Sequence, residues 1–325
     1  MSKHTLRNWS LCLCLVLSTF TLTAAEWSLN HTDNGYQVNI GGKLFAEYLT
    51  DFKGTPILWP IIGPTGQEMT RSYPMVQEGK PTEKIDHPHH RSLWFNHGNV
   101  NGGDYWSLTS CFIKHKRFVK AEQDAQGAVL ITENEWINQQ GDIVCTDLRT
   151  IRFGLCRENR FIDFDATVTA VADTVVFGDT KEGSFGVRVP GRFDSDGKRR
   201  DKNHPGGTIV NAEGLTGDDA WGKRSSWVDY SGELENGDVA GITIMNHPSS
   251  FRYPTYWHVR TYGLFAANPF GVHDFVVGEK ADAGLLTMKK GNSFTLRYRV
   301  LLHKGTLETI NLPKLFDEYS ALPHL

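Results

Sequence analysis

The residues from Asp86 to Trp106, DHPHHRSLWFNHGNVNGGDYW, gather His87, His89, His90 and His97 beside Asp86, Arg91 and Asp104. Imidazole is the side chain that titrates nearest neutral pH and also the commonest metal ligand, so this density points two ways. One way is proton transfer. The other is a divalent metal, with His87 and His89 as an H-x-H pair on one face and a carboxylate from elsewhere completing the set. A hydrogen-bonded cluster without chemistry is the third reading. In an extended chain His87, His89 and Arg91 share one face while His90 points away. Trp94, Phe95 and Trp106 supply an apolar wall, and Pro88 places Asp86 to His90 at a strand entry or sheet rim, because proline cannot donate a ladder hydrogen bond.

Remote segments carry matching groups. In KEGSFGVRVP, Phe185, Val187 and Val189 face one way and Glu182, Ser184 and Arg188 the other. A carboxylate and a guanidinium on one polar face can hold a polyhydroxylated or anionic ligand through directional hydrogen bonds, although a plain surface ion pair has the same signature. In MNHPSSFRYPTYWHVRTYGLFAANPFG, His258 and Arg260 alternate with Trp257 and Val259. The run Asn268 to Gly271 reads as a turn, and His247, before a proline, suits a structural turn as well as a site. Trp221 to Trp227 adds basic and aromatic groups. Aromatic faces beside polar groups suit sugar rings, and tryptophan in a sandwich also serves as core.

The elements that must position these groups are strands. Tyr36, Val38 and Ile40 alternate with polar residues between two turns, and Ile162, Phe164, Ala166 and Val168 do so opposite Asp163, Asp165, Thr167 and Thr169. Further strands are expected at 128–137, 144–153, 185–189, 239–245, 256–265 and 293–302. Only 312–321 reads as a short helix. Many strands without intervening helices predict an all-β fold, a large antiparallel sandwich or curved supersandwich. No linker, repeat or charge block divides residues 26–325, so one domain is expected there.

Residues 1–25 have the layout of a secretory signal: Lys3 and Arg7, an apolar run from Leu11 to Leu22, and Thr23-Ala24-Ala25. Cleavage there, and a periplasmic or secreted protein, is the expectation. The full chain carries 34 basic and 37 acidic residues; without Lys3 and Arg7 the count is 32 against 37, a net charge of −5. That balance argues against a nucleic-acid partner. No apolar run after residue 25 reaches spanning length. Cys111, Cys145 and Cys156 remain after cleavage and read as buried small hydrophobes with at most one bridge.

The pieces DHPHHRSLWFNHGNVNGGDYW, GDTKEGSFGVRV, WGKRSSWVDYSG and HPSSFRYPTYWHVRTYGLFAANPFG resemble a bacterial family of unknown function labelled PmoA-type, or "methane oxygenase". Asn246 departs from the aspartate expected before His247-Pro248. The resemblance implies an overall design similar to the galactose-mutarotase-like supersandwich proteins, which bind or process sugars on a concave sheet. It thus implies an exported carbohydrate-active protein, a sugar epimerase, lyase or glycoside hydrolase. On that reading His89 or His258 is the acid and Glu182 the base. His87, His90, Arg91, Trp94, His97, Asp104, Trp106, Arg188, Arg260 and Asn268 contact the sugar or oligosaccharide. The rivals are a metal-dependent enzyme such as an oxygenase, using His87, His89 and a carboxylate such as Glu182 with His258 as a further candidate ligand, and a non-catalytic carbohydrate-binding protein.

Overall fold

Along Gly127–Ile137 the residues Ala128, Leu130, Thr132, Asn134 and Trp136 are buried, and every residue between them is partly exposed. Successive side chains of a strand point to opposite faces, so this segment must lie on a core with its other face toward water. The same logic runs through the computed structural model, which describes residues 26–107 and 109–323. In chain order the strands begin with β1 (Trp27–Thr32), β2 (Gly35–Ile40), β3 (Lys43–Leu49), β4 (Ile57–Ile61) and β5 (Leu93–His97). Then come β6 (Phe112–Gln123), β7 (Gly127–Ile137), β8 (Ile143–Cys156), β9 (Asn159–Ala170) and β10 (Thr174–Phe177). After them follow β11 (Gly183–Arg188), β12 (Thr208–Asn211), β13 (Trp227–Glu233) and β14 (Val239–Asn246). The last are β15 (Tyr256–Val259), β16 (Leu264–Asn268), β17 (Leu286–Lys289) and β18 (Ser293–Lys304).

Two eight-stranded sheets result, ordered β1-β2-β3-β4-β5-β11-β16-β15 and β12-β13-β14-β18-β9-β8-β7-β6, with β10 and β17 paired apart. Neighbouring strands pair antiparallel throughout. The fold is the all-β antiparallel sandwich that the strand pattern predicts. One cluster of buried side chains fills the space between the sheets. Phe95 meets Trp136 at 5.9 Å, Phe185 meets Phe164 at 5.0 Å, and Phe45 meets Phe153 at 5.6 Å between ring centroids. Such pairs add to the area they bury. Charge inside this core is paired: Arg149 Nε lies 2.9 Å from Asp147 Oδ1, and Asp147 also accepts from Trp136 Nε1 at 2.7 Å.

The helix expected at the C-terminal end is α2 (Leu312–Ser320), capped by Asn311 and packed through Leu312, Leu315 and Tyr319 onto Trp227, Met245 and Leu301. A single turn, α1 (Val272–Phe275), precedes β17. Cys111 and Cys145 are buried, Cys156 is partly so, and all three are free thiols. Among the described residues no helix is long and apolar enough to cross a membrane. The expected signal segment lies outside the described residues.

Two local expectations are corrected. The strand predicted over 256–265 is a hairpin: β15 ends at Val259, Arg260 N–H donates to Leu264 C=O at 2.8 Å, and Gly263, at φ +98°, turns the chain into β16. Glycine reaches that φ without a Cβ clash. Asp86 to His90 is not extended either. His87 stands at φ +46° and His90 N–H donates to His87 C=O at 2.9 Å, so the segment is a tight turn.

Candidate functional site

The site begins on the outer face of the first sheet. In β5, Leu93 and Phe95 enter the core, so Trp94 must face away from it. Trp94 joins Ile57, Trp106, Leu264 and Ala266 in a separate buried cluster on that outer face. The turn at 86–92 folds over it and builds a column of rings. His90 stacks on Trp94 at 5.4 Å, His87 on His90 at 4.9 Å, and Tyr262 on His87 at 5.2 Å. His89 stands edge-on to both neighbours, 4.5 Å from His90 and 5.7 Å from His87.

A polar bracket holds this column from beneath. Arg71 Nη1 donates to Asp86 Oδ1 at 2.7 Å and Arg188 Nη2 to the same oxygen at 3.3 Å. Arg188 Nη1 lies 2.9 Å from His90 Nδ1. Guanidinium has no acceptor, so Nδ1 accepts and the neutral ring carries its proton on Nε2. His87 Nδ1 sits 3.2 Å from Asp86 Oδ2, at an angle that makes no aligned hydrogen bond. Burial would push the Asp86 carboxyl up. The neighbouring His87 ring and the Arg188 and Arg71 guanidiniums outweigh that and hold it well below the usual carboxylate range. Burial, then the charge of Arg71, brings Arg188 down to about 10, so it stays cationic at neutral pH.

Above the column opens a hollow of about 390 Å³, within the size range of small-molecule sites. His87, His89, His90, Trp106 and Ser107 line one side. Lys181 and Glu182 reach it from the loop before β11, His258 from β15, and Arg260 and Tyr262 from the turn after β15. The order β5-β11-β16-β15 brings these segments to one place.

Burial sets the protonation states here. The pKa of His258 is pushed down to about 4, chiefly by burial and then by Arg260 and Lys181, against the opposing hydrogen bond to the Lys181 carbonyl. That bond, 2.8 Å from Nδ1, identifies Nδ1 as the donor, because a carbonyl only accepts, and leaves Nε2 with the lone pair. His89 is likewise pushed down to about 4, by burial and then by the charges of His87 and Arg91. Burial lowers His90 well below the usual imidazole range. Glu182 moves the opposite way: burial raises it, against Lys181, whose Nζ lies 3.6 Å away. Within one hollow, burial thus displaces His258, His89 and His90 downward and Glu182 upward.

Of the residues expected in the site, His87, His89, His90, Trp106, Glu182, His258 and Arg260 reach the hollow. His90 does so because the turn at His87 swings its ring inward, where an extended chain would send it away. The others lie elsewhere. His97 shares the parity of Phe95 and points into the core. There its Nε2 donates to Gly178 C=O at 2.9 Å, its ring packs on Phe270, and burial pushes its pKa down to about 4. Arg91 is buried outside the hollow, nearest in charge to Asp51. Trp94 and Arg188 are the support under His90. Asp104 accepts from the backbone N–H groups of Trp106 and Ser107 at 2.8 and 2.9 Å, which orders that turn. Asn268 donates to Thr180 C=O at 2.8 Å and accepts from Phe270 N–H at 2.9 Å, so it fastens the loop that carries Glu182. His247 lies on the second sheet, where its Nδ1 meets Ser249 Oγ at 2.8 Å, and Asn246 accepts from Thr255 N–H at 3.0 Å. Lys181, Ser107 and Tyr262 were not singled out from sequence. Tyr262 would have been found by reading Tyr262-Gly263 as a turn.

The metal reading finds no donor set. Among the described residues no three His, Cys, Asp or Glu side chains are arranged to hold an ion. His87 and His90 lie parallel within 10°, face to face, and so do not aim their lone pairs at a common point.

No curated protein matches the chain. Solved structures with similar coordinates include GH36 alpha-galactosidase AgaA of Geobacillus stearothermophilus, at 10% identity and TM-score 0.43 over 87% of this chain. This chain covers 41% of that galactosidase, under half its length. A galactose mutarotase related enzyme of Lactobacillus acidophilus is similar at 11% identity and TM-score 0.34, over 81% of this chain and 98% of its own. A polysaccharide lyase is similar at 13% identity and TM-score 0.32, over 87% of this chain and 33% of its own. A PmoA-type family is not shown by any of these matches. The family model that matches does so over residues 35–317, and the chain belongs to that family, described as a family of unknown function (DUF6807).

Proposed function

We propose that the hollow binds a sugar unit and moves protons on it, with His258 and His89 as neutral proton acceptors and Glu182 as proton donor. The observation that carries this reading is the opposite displacement of these groups, imidazoles downward and carboxyl upward, in one cavity. Titratable groups whose surroundings drive them apart mark acid and base. Tyr262 offers an aromatic ring for the apolar side of a pyranose, and the Nε2–H of His90 offers a fixed donor for a hydroxyl.

Within carbohydrate chemistry the geometry favours epimerisation or elimination over hydrolysis. Most glycoside hydrolases flank the bond with two carboxyl groups. Glu182 is the one acidic side chain among the described residues lining this hollow.

The test is incubation with a panel of mono- and oligosaccharides in deuterium oxide, followed by proton NMR for exchange at carbon or for an unsaturated product. Turnover that falls by about 10²–10⁴-fold in Glu182→Gln and in His258→Asn, with binding retained, supports the reading. Turnover that survives both substitutions defeats it. Binding without exchange or product in the native protein leaves a carbohydrate-binding module instead.

A further inference from the structure

Among the described residues, the charged side chains lining the hollow other than histidine are Lys181, Glu182 and Arg260, and of these Arg260 alone lacks an ion-pair partner. Asp86 answers Arg71 and Arg188, and Glu182 lies beside Lys181. Asp104 is committed to two backbone N–H groups. Arg260 lines the hollow, yet no carboxylate lies within ion-pairing distance of it among the described residues, and its Nε is buried with no hydrogen-bond partner. Its backbone is fixed at both ends of the hairpin turn, by the N–H bond to Leu264 C=O and by its own carbonyl accepting from Gly263 N–H at 2.9 Å. Its guanidinium carbon lies 5.7 Å from the ring centroid of Trp221 and 5.7 Å from that of Tyr262. Two aromatic rings therefore position the fork without neutralising it.

A buried guanidinium N–H without a partner is costly to keep, and guanidinium geometry matches a planar oxyanion through two parallel hydrogen bonds. We infer that the sugar taken by this hollow is an acidic one, whose anionic substituent pairs with Arg260. The inference rests on the sugar-binding reading above and adds the substrate class to it. Carboxylate and sulfate ester share this chemistry. The flat fork favours the carboxylate of a uronate, and the two are separated in the test.

The test is isothermal titration of the full chain with D-galacturonate, D-glucuronate, D-galactose 6-sulfate, D-galactose and the methyl ester of D-galacturonate. The expected result is binding of the uronates about ten- to a hundredfold tighter than of galactose or the methyl ester, the worth of a charge-assisted hydrogen-bond pair. Arg260→Gln removes that preference, whereas Arg260→Lys keeps part of it. Tighter binding of the 6-sulfate than of either uronate assigns the anion as a sulfate ester. Equal affinity for acidic and neutral sugars, or a uronate preference that survives Arg260→Gln, overturns the inference and leaves the sugar site standing. No binding of any of these sugars overturns the sugar site itself, and the inference with it.

Discussion

Arg188 Nη1 donates to His90 Nδ1 across 2.9 Å, between two side chains that are both almost wholly buried. One contact thereby joins β11 to the histidine turn, fixes the His90 tautomer, and places a cation where Asp86 can answer it. Removing Arg188 strands both partners. Arg188→Met is expected to destabilise the fold by about 2–4 kcal/mol, read as a lower urea midpoint with unchanged slope. In the same variant the nitrogen spectrum of His90 loses its single Nε2–H tautomer. A variant as stable as the native chain would show the contact to be incidental.

Acid sensitivity follows from the buried imidazoles. His258 holds its proton with a pKa of about 4 in the fold against an ordinary value of 6.5. Between those values the unfolded chain binds more protons than the folded one, so this contribution is complete above about pH 6.5 and lost as pH falls toward 4. Glu182 has the opposite sign, its pKa being raised, but it is more than one-third exposed and contributes less. Unfolding free energy is expected to rise with pH across that window, by at most about 1.4 kcal/mol per pH unit for each such histidine. His258→Asn, which keeps a donor for the Lys181 carbonyl, flattens the slope. An unchanged slope would mean that the ring is solvated.

Gly186 lies opposite Trp94 in the β5–β11 pairing, and a Cβ placed there would meet Trp94 Cζ2 at 2.5 Å. Trp94 is fully buried and cannot retreat without moving His90. Gly186→Ala is expected to cost about 1–3 kcal/mol through overpacking. It is also expected to weaken ligand binding, because the column of rings above Trp94 must shift. Thermal unfolding and titration with the same sugar panel check the two effects separately.

Asn268 acts on the site at one remove. Asn268→Ala deletes the bonds to Thr180 and Phe270 and is expected to destabilise the protein by about 1–3 kcal/mol, the cost of leaving buried partners unsatisfied. The loop at 178–182 should then exchange its amide hydrogens faster while the core strands remain protected. Uniform loss of protection would show that Asn268 supports the whole sheet and not this loop.

Much of the architecture was legible in the chain because alternation is a local property. The pattern of Ile162, Phe164, Ala166 and Val168 specifies a half-buried strand with no knowledge of its neighbours, and residues 159–170 form one. The parity that sends Trp94 outward sends His97 inward, so the misplacement of His97 could have been avoided from sequence. The density of histidine at 87–90 and the polar alternation of His258 and Arg260 also marked segments that line the hollow.

Three matters required the folded chain. Sheet order decided which remote segments meet, since no periodicity tells β11 to lie between β5 and β16. The positive φ at His87 decided that His90 faces the hollow, a choice set by packing on Trp94 and the bond from Arg188. Burial decided which way these titratable groups shift. Composition assigns every histidine and glutamate its ordinary value, and only the burial of His258 and the partial burial of Glu182 drive one down and the other up, because removing water penalises whichever form carries charge.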